Sequence, residues 1–185
     1  SGIDAGKIAI YGTSFGAGAA ALAARLSPRP KAVATAVGVL SGSDWLANIV
    51  PWAALMEKRE AALRSISRRV VSGEIEMVDR ADIMVPDPAT AAVYTEKVPM
   101  AMESLFHVGN HEPMRIAEEL TIPALLIGVE DDSLVPFAQT MRFYQKVRTE
   151  KRLERIATGN HWAVYNEALP RVHEVTSKWF SQHVL

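Results

Sequence analysis

The sequence contains no cysteine among its 185 residues, and its formal net charge is only −1. Without cysteine the chain can form no disulfide bond, no thiolate metal site and no cysteine nucleophile. Because the balanced charge leaves no basic excess to neutralise phosphates, we expect no nucleic-acid partner. No run of about 18 apolar residues is present, so no membrane-spanning segment is predicted. We expect a cytoplasmic protein that is long enough for a substantial hydrophobic core.

The pentapeptide Gly12-Thr13-Ser14-Phe15-Gly16 has the pattern G-x-S-x-G. The apolar residues 7–11 before it predict a strand buried on both faces, and the alanine-rich residues 17–26 after it predict a helix. Ser14 is therefore expected at a sharp strand-to-helix turn, in which a Cβ on either glycine would collide with a neighbouring element. Such a turn exposes the serine hydroxyl, and the backbone N–H of Phe15 would donate to an oxyanion. The alternative is a glycine-rich turn that only packs a helix on a sheet.

Strands and helices alternate over most of the remaining chain. Residues 31–40 and 122–129 predict two buried strands, and the more polar residues 151–157 predict a strand nearer an edge. Helices are predicted over residues 137–147 and from about residue 170. This alternation predicts an α/β fold with a parallel sheet.

The middle of the chain has a different pattern. Leu63, Ile66 and Val70 recur at helical spacing among basic residues, which predicts a helix with a solvated basic face or, alternatively, an anion-steering surface. Residues 72–98 are irregular, and residues 99–108 predict a short helix.

Candidate pocket residues lie on that short predicted helix. Met100, Met102 and Phe106 could line an apolar substrate pocket, since methionine adapts to irregular ligands, and Trp162 is a further candidate for that pocket. Ordinary core packing is the alternative. His107 and His111 have the spacing of a metal pair, but Gly109 and Asn110 interrupt the helical face and no third ligand is evident, so no metal is expected.

Chemically active residues follow three of the predicted strands. Functional loops gather at the carboxyl ends of parallel strands, and these exits carry Ser14, the pair Asp131 and Asp132, and His161. A serine hydroxyl needs a base to take its proton, and the base needs an acid to orient it. The three exits therefore predict nucleophilic catalysis, with either aspartate as the acid. A purely structural role of His161 is the alternative.

These segments together resemble the motifs of the α/β-hydrolase family. Residues 8–16 resemble its nucleophile elbow, residues 124–136 its acid strand and residues 159–161 its histidine loop. In the acid strand of the family, the aspartate four residues before the proline belongs to the catalytic triad. The resemblance therefore assigns the acid to Asp132 and implies a triad with Ser14 and His161.

The resemblance also implies a domain organisation. Residues 1–44 and 122–185 would form the C-terminal part of an α/β-hydrolase-type parallel sheet, and residues 45–121 a helical cap insertion over the active site. The insertion is similar to that of the dienelactone-hydrolase and acyl-peptidase-like branches. Strands that precede the elbow in the family, and the loop that supplies a second oxyanion donor, have no counterpart in this sequence. We expect the missing N-terminal half, or a symmetry mate, to cover the strand of residues 7–11.

The function that the resemblance implies is a serine hydrolase acting on a small-molecule acyl substrate. It would cleave a carboxylic ester or related acyl compound through an acyl-enzyme, without a cofactor, and Trp162 would pack beside the imidazole or against the cap. The same triad also serves peptidases, acyltransferases, thioesterases and C–C hydrolases. A binding protein that kept the fold and lost the chemistry is the alternative of a different class.

Overall fold

A computed structural model describes residues 4–185 of the chain. The strands in this range are β1 (Ile8–Thr13), β2 (Pro30–Ala36), β3 (Met77–Asp79), β4 (Pro99–Ala101), β5 (Ala124–Val129) and β6 (Lys151–Ile156). The α-helices are α1 (Phe15–Leu26), α2 (Gly42–Ile49), α3 (Trp52–Ser72), α4 (Arg80–Ile83), α5 (Pro88–Val93), α6 (Ser104–Gly109), α7 (Phe137–Lys146) and α8 (Leu169–His183). Two 3₁₀ helices span Pro113–Glu119 and His161–Tyr165. None of these helices is long and apolar enough to cross a bilayer.

The chain divides into two compact units, one of residues 4–40 with 112–185 and one of residues 41–111. The first unit contains a four-stranded sheet in the order β1-β2-β5-β6, and every neighbouring pair of its strands is parallel. The prediction of a parallel α/β sheet is therefore confirmed. The polar strand β6 lies at one edge of this sheet, as its composition predicts.

Both faces of the sheet are covered by apolar packing. On one face, the alanines of α1 and Phe143 of α7 pack against Val33 and Leu126. On the other face, Trp179 of α8 packs against a cluster that includes Leu125 and Ile127. Alternate residues of β5 thus face opposite layers, which explains why its sequence is continuously apolar. Each buried leucine or isoleucine contributes about 1.5–3 kcal/mol to this core.

The first strand differs from its prediction. The sequence predicts residues 7–11 as a strand buried on both faces, but Lys7 is exposed, Tyr11 is 43% exposed and residues 8–10 are only partly buried. The reason is topological, because β1 lies at an edge of the described sheet and pairs with β2 alone. Apolar composition reports how a strand packs but does not report how many strands flank it.

The second strand is shorter than predicted. It ends at Ala36 rather than Leu40, because Val37 takes a positive φ of 44°, which lies outside the β region. The N–H of Val37 still donates to the carbonyl of Ile127 at 2.9 Å. Val37, Val39 and Leu40 remain buried in the turn that follows. Because apolar residues continue beyond the end of the strand, the apolar pattern predicts a strand that is too long.

The second unit contains helices and a two-stranded antiparallel ribbon of β3 and β4. The prediction of an irregular stretch over residues 72–98 misses β3 and two short helices, which Asp79 and Asp87 cap with their side chains. The predicted helix over residues 99–108 is wrong in its first part, because residues 99–101 form β4 opposite β3 and only residues 104–109 are helical.

Helix α3 buries a different face from the one that its apolar spacing indicates. Its buried residues are Leu55, Ala62 and Ser65, whereas Leu63 and Val70 are 55% and 81% exposed. A polar contact explains this orientation. Ser65 donates to the buried carboxylate of Glu103 at 3.2 Å, and the guanidinium of Arg69 pairs with the same carboxylate.

The contact of Glu103 with Ser65 and Arg69 should make the stability of the folded protein depend on pH. The hydrogen bonds from Arg69 hold the pKa of Glu103 below its usual range. A carboxyl whose pKa is lower in the folded protein stabilises it above the unfolded pKa, and this contribution disappears as the pH falls through the folded pKa. We expect Glu103→Gln to lower the free energy of unfolding at pH 7 and the difference from wild type to vanish at low pH. Urea unfolding at several pH values measures this, and a pH-independent difference would contradict it.

Candidate active site

Ser14 lies in a strained turn between β1 and α1. Its φ and ψ angles are 52° and −126°, a backbone conformation that residues other than glycine rarely adopt. Its N–H donates to the carbonyl of Ala36 at 2.9 Å, and its own carbonyl accepts from Val39 at 3.0 Å and Ala17 at 3.1 Å. The loop after β2 therefore holds the serine in place, and such stored strain is characteristic of functional sites.

The two glycines of the turn are not equivalent. A Cβ on Gly12 would lie 2.2 Å from the carbonyl oxygen of Gly16 and 2.8 Å from the Cβ of Ala20. A Cβ on Gly16 would meet no described atom within 4 Å. The expectation that both positions exclude a side chain is therefore right for Gly12 and wrong for Gly16, because only Gly12 points at the backbone of α1.

His161 and Asp132 form a buried pair beside this turn. The two residues are 3% and 5% exposed, and His161 Nδ1 lies 2.8 Å from Asp132 Oδ2. The other carboxylate oxygen accepts hydrogen bonds from the backbone N–H groups of Leu134 at 3.0 Å and Val135 at 2.8 Å. These two bonds fix the carboxylate so that one oxygen faces the imidazole.

The imidazole joins this carboxylate to the serine. His161 Nε2 lies 3.0 Å from Ser14 Oγ. When Nδ1 carries the proton that it donates to Asp132, Nε2 is an acceptor that faces the serine hydroxyl. The structure thus brings together Ser14, His161 and Asp132, the three side chains that the motifs single out.

The neighbouring aspartate takes no part in this arrangement. Asp131 is exposed, whereas Asp132 is buried against the imidazole. The exposed Glu130 instead pairs with Arg155 at 2.7 Å. Of the two aspartates left open by the strand-exit pattern, the geometry favours Asp132.

The loop that carries His161 has its own constraints. Gly159 has a φ of 120°, and a Cβ there would lie 2.8 Å from the Cβ of Ala163. The side chain of Asn160 accepts from the N–H of Trp162 at 2.9 Å and so caps the 3₁₀ helix that begins at His161. These contacts turn the imidazole toward Ser14.

Two aromatic rings lie near the imidazole. Trp162 lies edge-on to His161 at 6.1 Å between centroids, and Tyr165 lies 6.4 Å from the same ring. Burial and the nearby Tyr165 raise the pKa of Tyr11. The sequence analysis does not identify Tyr165 as a residue near the site. Its position four residues after His161 is the feature of the sequence that could have identified it.

The other predicted pocket residues lie in the second unit. Met102 is 5% exposed, Met100 is in β4, and the ring of Phe106 in α6 lies 5.9 Å below the guanidinium of Arg59. A substrate pocket that they share with Trp162 stays a prediction. Residues 4–185 contain no group of three or more histidine, aspartate or glutamate side chains placed to hold a metal ion.

Comparison with solved structures identifies similar folds. DcsB in complex with its substrate analogue matches 98% of this chain with a TM-score of 0.80 and 16% identity, and the match covers 66% of DcsB. The α/β hydrolase GrgF from Penicillium sp. sh18 matches 98% at a TM-score of 0.80 and 13% identity over 65% of its own length. The monoacylglycerol lipase of Paleococcus ferrophilus matches 96% at a TM-score of 0.66 and 15% identity over 69% of its own length.

The matched proteins DcsB and GrgF are longer than this chain. The chain spans 65–66% of the length of DcsB and GrgF. No family model and no curated protein sequence matches it.

Proposed function

The chain has the fold of the C-terminal part of an α/β-hydrolase, and we propose that the protein is a serine hydrolase of carboxylic esters or related acyl compounds. The observation that carries this proposal is the continuous series of hydrogen bonds from Ser14 Oγ through His161 to Asp132, at 3.0 and 2.8 Å. The fold shared with GrgF and with a monoacylglycerol lipase supports it. The substrate would be a small acyl compound.

In the proposed reaction, Ser14 is the nucleophile. His161 Nε2 takes the hydroxyl proton while Ser14 Oγ attacks the acyl carbon, and Asp132 stabilises the imidazolium that forms. The tetrahedral intermediate collapses when His161 returns the proton to the departing alcohol, which leaves an acyl-enzyme. A water molecule that His161 deprotonates then attacks the acyl carbon, and the acid is released.

The oxyanion of the intermediate would lie at the N-terminus of α1. This helix has 12 residues and no acidic residue in its first turn, so its positive end is not neutralised. The N–H of Phe15, the first residue of the helix, would be one donor. The second donor would come from a part of the protein outside this chain. A segment outside this chain, or a second copy of it, would also pair with the edge strand β1. Loss of a single such donor typically lowers turnover by about 10²–10³.

Activity labelling tests this proposal. A fluorophosphonate probe reacts only with an activated serine, so we expect wild type to be labelled and Ser14→Ala to lose all labelling. Hydrolysis of p-nitrophenyl acetate and butyrate should fall by at least about 10³-fold in this variant, because no other group replaces the nucleophile. The intact mass of the purified protein, measured in parallel, shows how much of the protein was assayed.

Ser67→Ala is a matched control, since Ser67 is an exposed serine of the second unit whose hydroxyl donates to the carbonyl of Leu63 in its own helix. This variant should label like wild type. Labelling that persists in Ser14→Ala would place the reactive serine elsewhere. Absence of labelling in wild type would favour the non-catalytic binding protein. Comparison of ester, peptide and transacylation substrates would separate an esterase from the peptidase and acyltransferase alternatives, and a substrate with a cleavable C–C bond next to a carbonyl would test the C–C hydrolase alternative.

A further inference from the structure

Gln139 is a polar side chain that lies buried in the first turn of α7. It is 2% exposed, and the other buried residues of this helix are Thr140 and Phe143. Burial of an amide is unfavourable unless its polar atoms form hydrogen bonds. The side-chain carbonyl of Gln139 accepts a hydrogen bond from the backbone N–H of Leu40 at 2.9 Å, in a buried environment. This contact joins α7 to a segment 99 residues earlier in the chain.

Leu40 lies in the loop that follows the end of β2. It is fully buried, in the same apolar cluster as the alanines of α1 and Phe143. Its carbonyl accepts from the N–H of Met114 at 2.7 Å, and its N–H donates to Gln139. A buried backbone N–H is costly without an acceptor. The side chain of Gln139 therefore takes the part that a neighbouring strand takes for residues within a sheet.

The segment that Gln139 holds also fixes the backbone of Ser14. The N–H of Ser14 donates to the carbonyl of Ala36 at 2.9 Å, and its carbonyl accepts from the N–H of Val39 at 3.0 Å. Because Val39 and Leu40 share one rigid peptide unit, a displacement of Leu40 would be passed directly to Val39. The positive φ of Ser14 persists only while the surrounding structure holds it.

Gln139 is also tied to the loop that carries Asp132. The backbone N–H of Gln139 donates to the carbonyl of Pro136 at 2.9 Å. The residue before this proline, Val135, donates its own N–H to one carboxylate oxygen of Asp132 at 2.8 Å. The other carboxylate oxygen faces His161. One residue thus links the support of the serine to the support of the acid.

We propose that Gln139 is a positioning residue for the nucleophile Ser14, an inference that rests on the proposed serine-hydrolase function. It acts through the backbone rather than on the reacting atoms. Its amide oxygen holds the loop after β2, and through that loop Ser14, where Oγ lies 3.0 Å from His161 Nε2. A misplacement of about 1 Å can lower a rate about 10²-fold. Loss of the hydrogen bond to Leu40 should therefore lower the reactivity of Ser14 in molecules that remain folded.

The kinetics of fluorophosphonate labelling in the complete protein test this role. The final extent of labelling gives the fraction of molecules with a folded site, and the rate constant gives the reactivity of Ser14 in each of them. Gln139→Met keeps a side chain of similar length but replaces the carbonyl by a thioether, which is a weak acceptor. We expect its labelling rate constant to fall at least about 10-fold. The kcat for p-nitrophenyl butyrate should fall by the same factor, with KM within about twofold of wild type.

Two variants accompany this substitution. Gln139→Glu still presents an oxygen to the N–H of Leu40, so its rate constant should stay within about threefold of wild type. Gln145→Met makes the same change at an exposed position of α7 and should leave the rate constant unchanged. If Gln139→Met does not accumulate as folded protein, Gln139→Asn takes its place. Its shorter side chain withdraws the amide oxygen from Leu40, and its rate constant should fall at least about threefold.

The extent and the rate of labelling separate positioning from a purely structural role. A structural role of Gln139 would lower the final extent of labelling and leave the rate constant at the wild-type value, which would overturn the positioning role and leave the serine-hydrolase proposal intact. A Gln139→Glu variant as slow as Gln139→Met would also overturn it, because the hydrogen bond to Leu40 would not be the cause. A wild-type protein that is not labelled at all would overturn the proposed function, and the positioning role with it.

Discussion

Asp132→Asn is expected to lower kcat/KM for p-nitrophenyl butyrate by about 10⁴-fold, with most of the loss in kcat. An asparagine can still accept from the N–H groups of Leu134 and Val135 through its carbonyl oxygen. Its amide would then face His161 Nδ1 with a donor in place of an acceptor, since these two atoms lie 2.8 Å apart in the wild type. The imidazole would keep its proton on Nε2, which could no longer accept the proton of Ser14.

Asp131→Asn is the matched control for this substitution. It makes the same chemical change one residue earlier, at an exposed side chain, and we expect activity within about twofold of wild type because charges in full solvent are well screened. The ratio of the two effects separates the alternatives that the pair of aspartates leaves open. Equal losses in both variants, or a larger loss in Asp131→Asn, would show that the acid has been assigned wrongly.

The sequence alone predicts that Ser14, Asp132 and His161 lie close together, for a physical reason. In a parallel sheet the carboxyl ends of the strands meet at one edge, so residues that directly follow β1, β5 and β6 must come close together whatever the intervening chain does. Ser14, Asp132 and His161 each lie at such a position. The choice between Asp131 and Asp132 depends on which of the two side chains points toward the imidazole. Strand periodicity does not determine this direction, because both residues lie in a loop.

The contacts that hold Ser14 could not be predicted in this way. Two of them come from Ala36 and Val39, on either side of Val37, in a segment that the apolar pattern predicts as continuous strand. The positive φ of Val37 is unfavourable for a β-branched residue and has no local sequence signal. It is stabilised only by the neighbours that the fold brings to it.

In the second unit, contacts between residues distant in sequence determine features that the local sequence pattern does not predict. The apolar spacing of α3 correctly predicts a helix but not the face that the helix buries. That face is set by Glu103, which binds Ser65 and Arg69 although it is distant from both in sequence. The residues 99–101 that pair as β4 are too few to carry a period-two pattern, and a helix was the wrong inference there. Long-range polar contacts and short ribbons are the features that periodicity does not report.

Gly12→Ala is expected to destabilise the first unit by at least about 3 kcal/mol. The new methyl group would lie 2.2 Å from the carbonyl oxygen of Gly16 and 2.8 Å from the Cβ of Ala20. The turn cannot yield easily, because hydrogen bonds from both sides fix the backbone of Ser14 between these two glycines. Urea unfolding followed by far-UV circular dichroism measures the loss. If the variant does not accumulate as folded protein, its proteolysis rate in the expressing cells gives the same comparison.

Gly16→Ala makes the same chemical change four residues later and should behave in the opposite way. No described atom lies within 4 Å of the added methyl group, and alanine is favoured over glycine inside a helix by about 1 kcal/mol. We therefore expect the free energy of unfolding of this variant to be unchanged or raised by up to about 1 kcal/mol. A large loss at Gly16, comparable with that at Gly12, would show that the surface of α1 near Ser14 is covered by a segment outside the described chain, and that the motif needs both glycines after all.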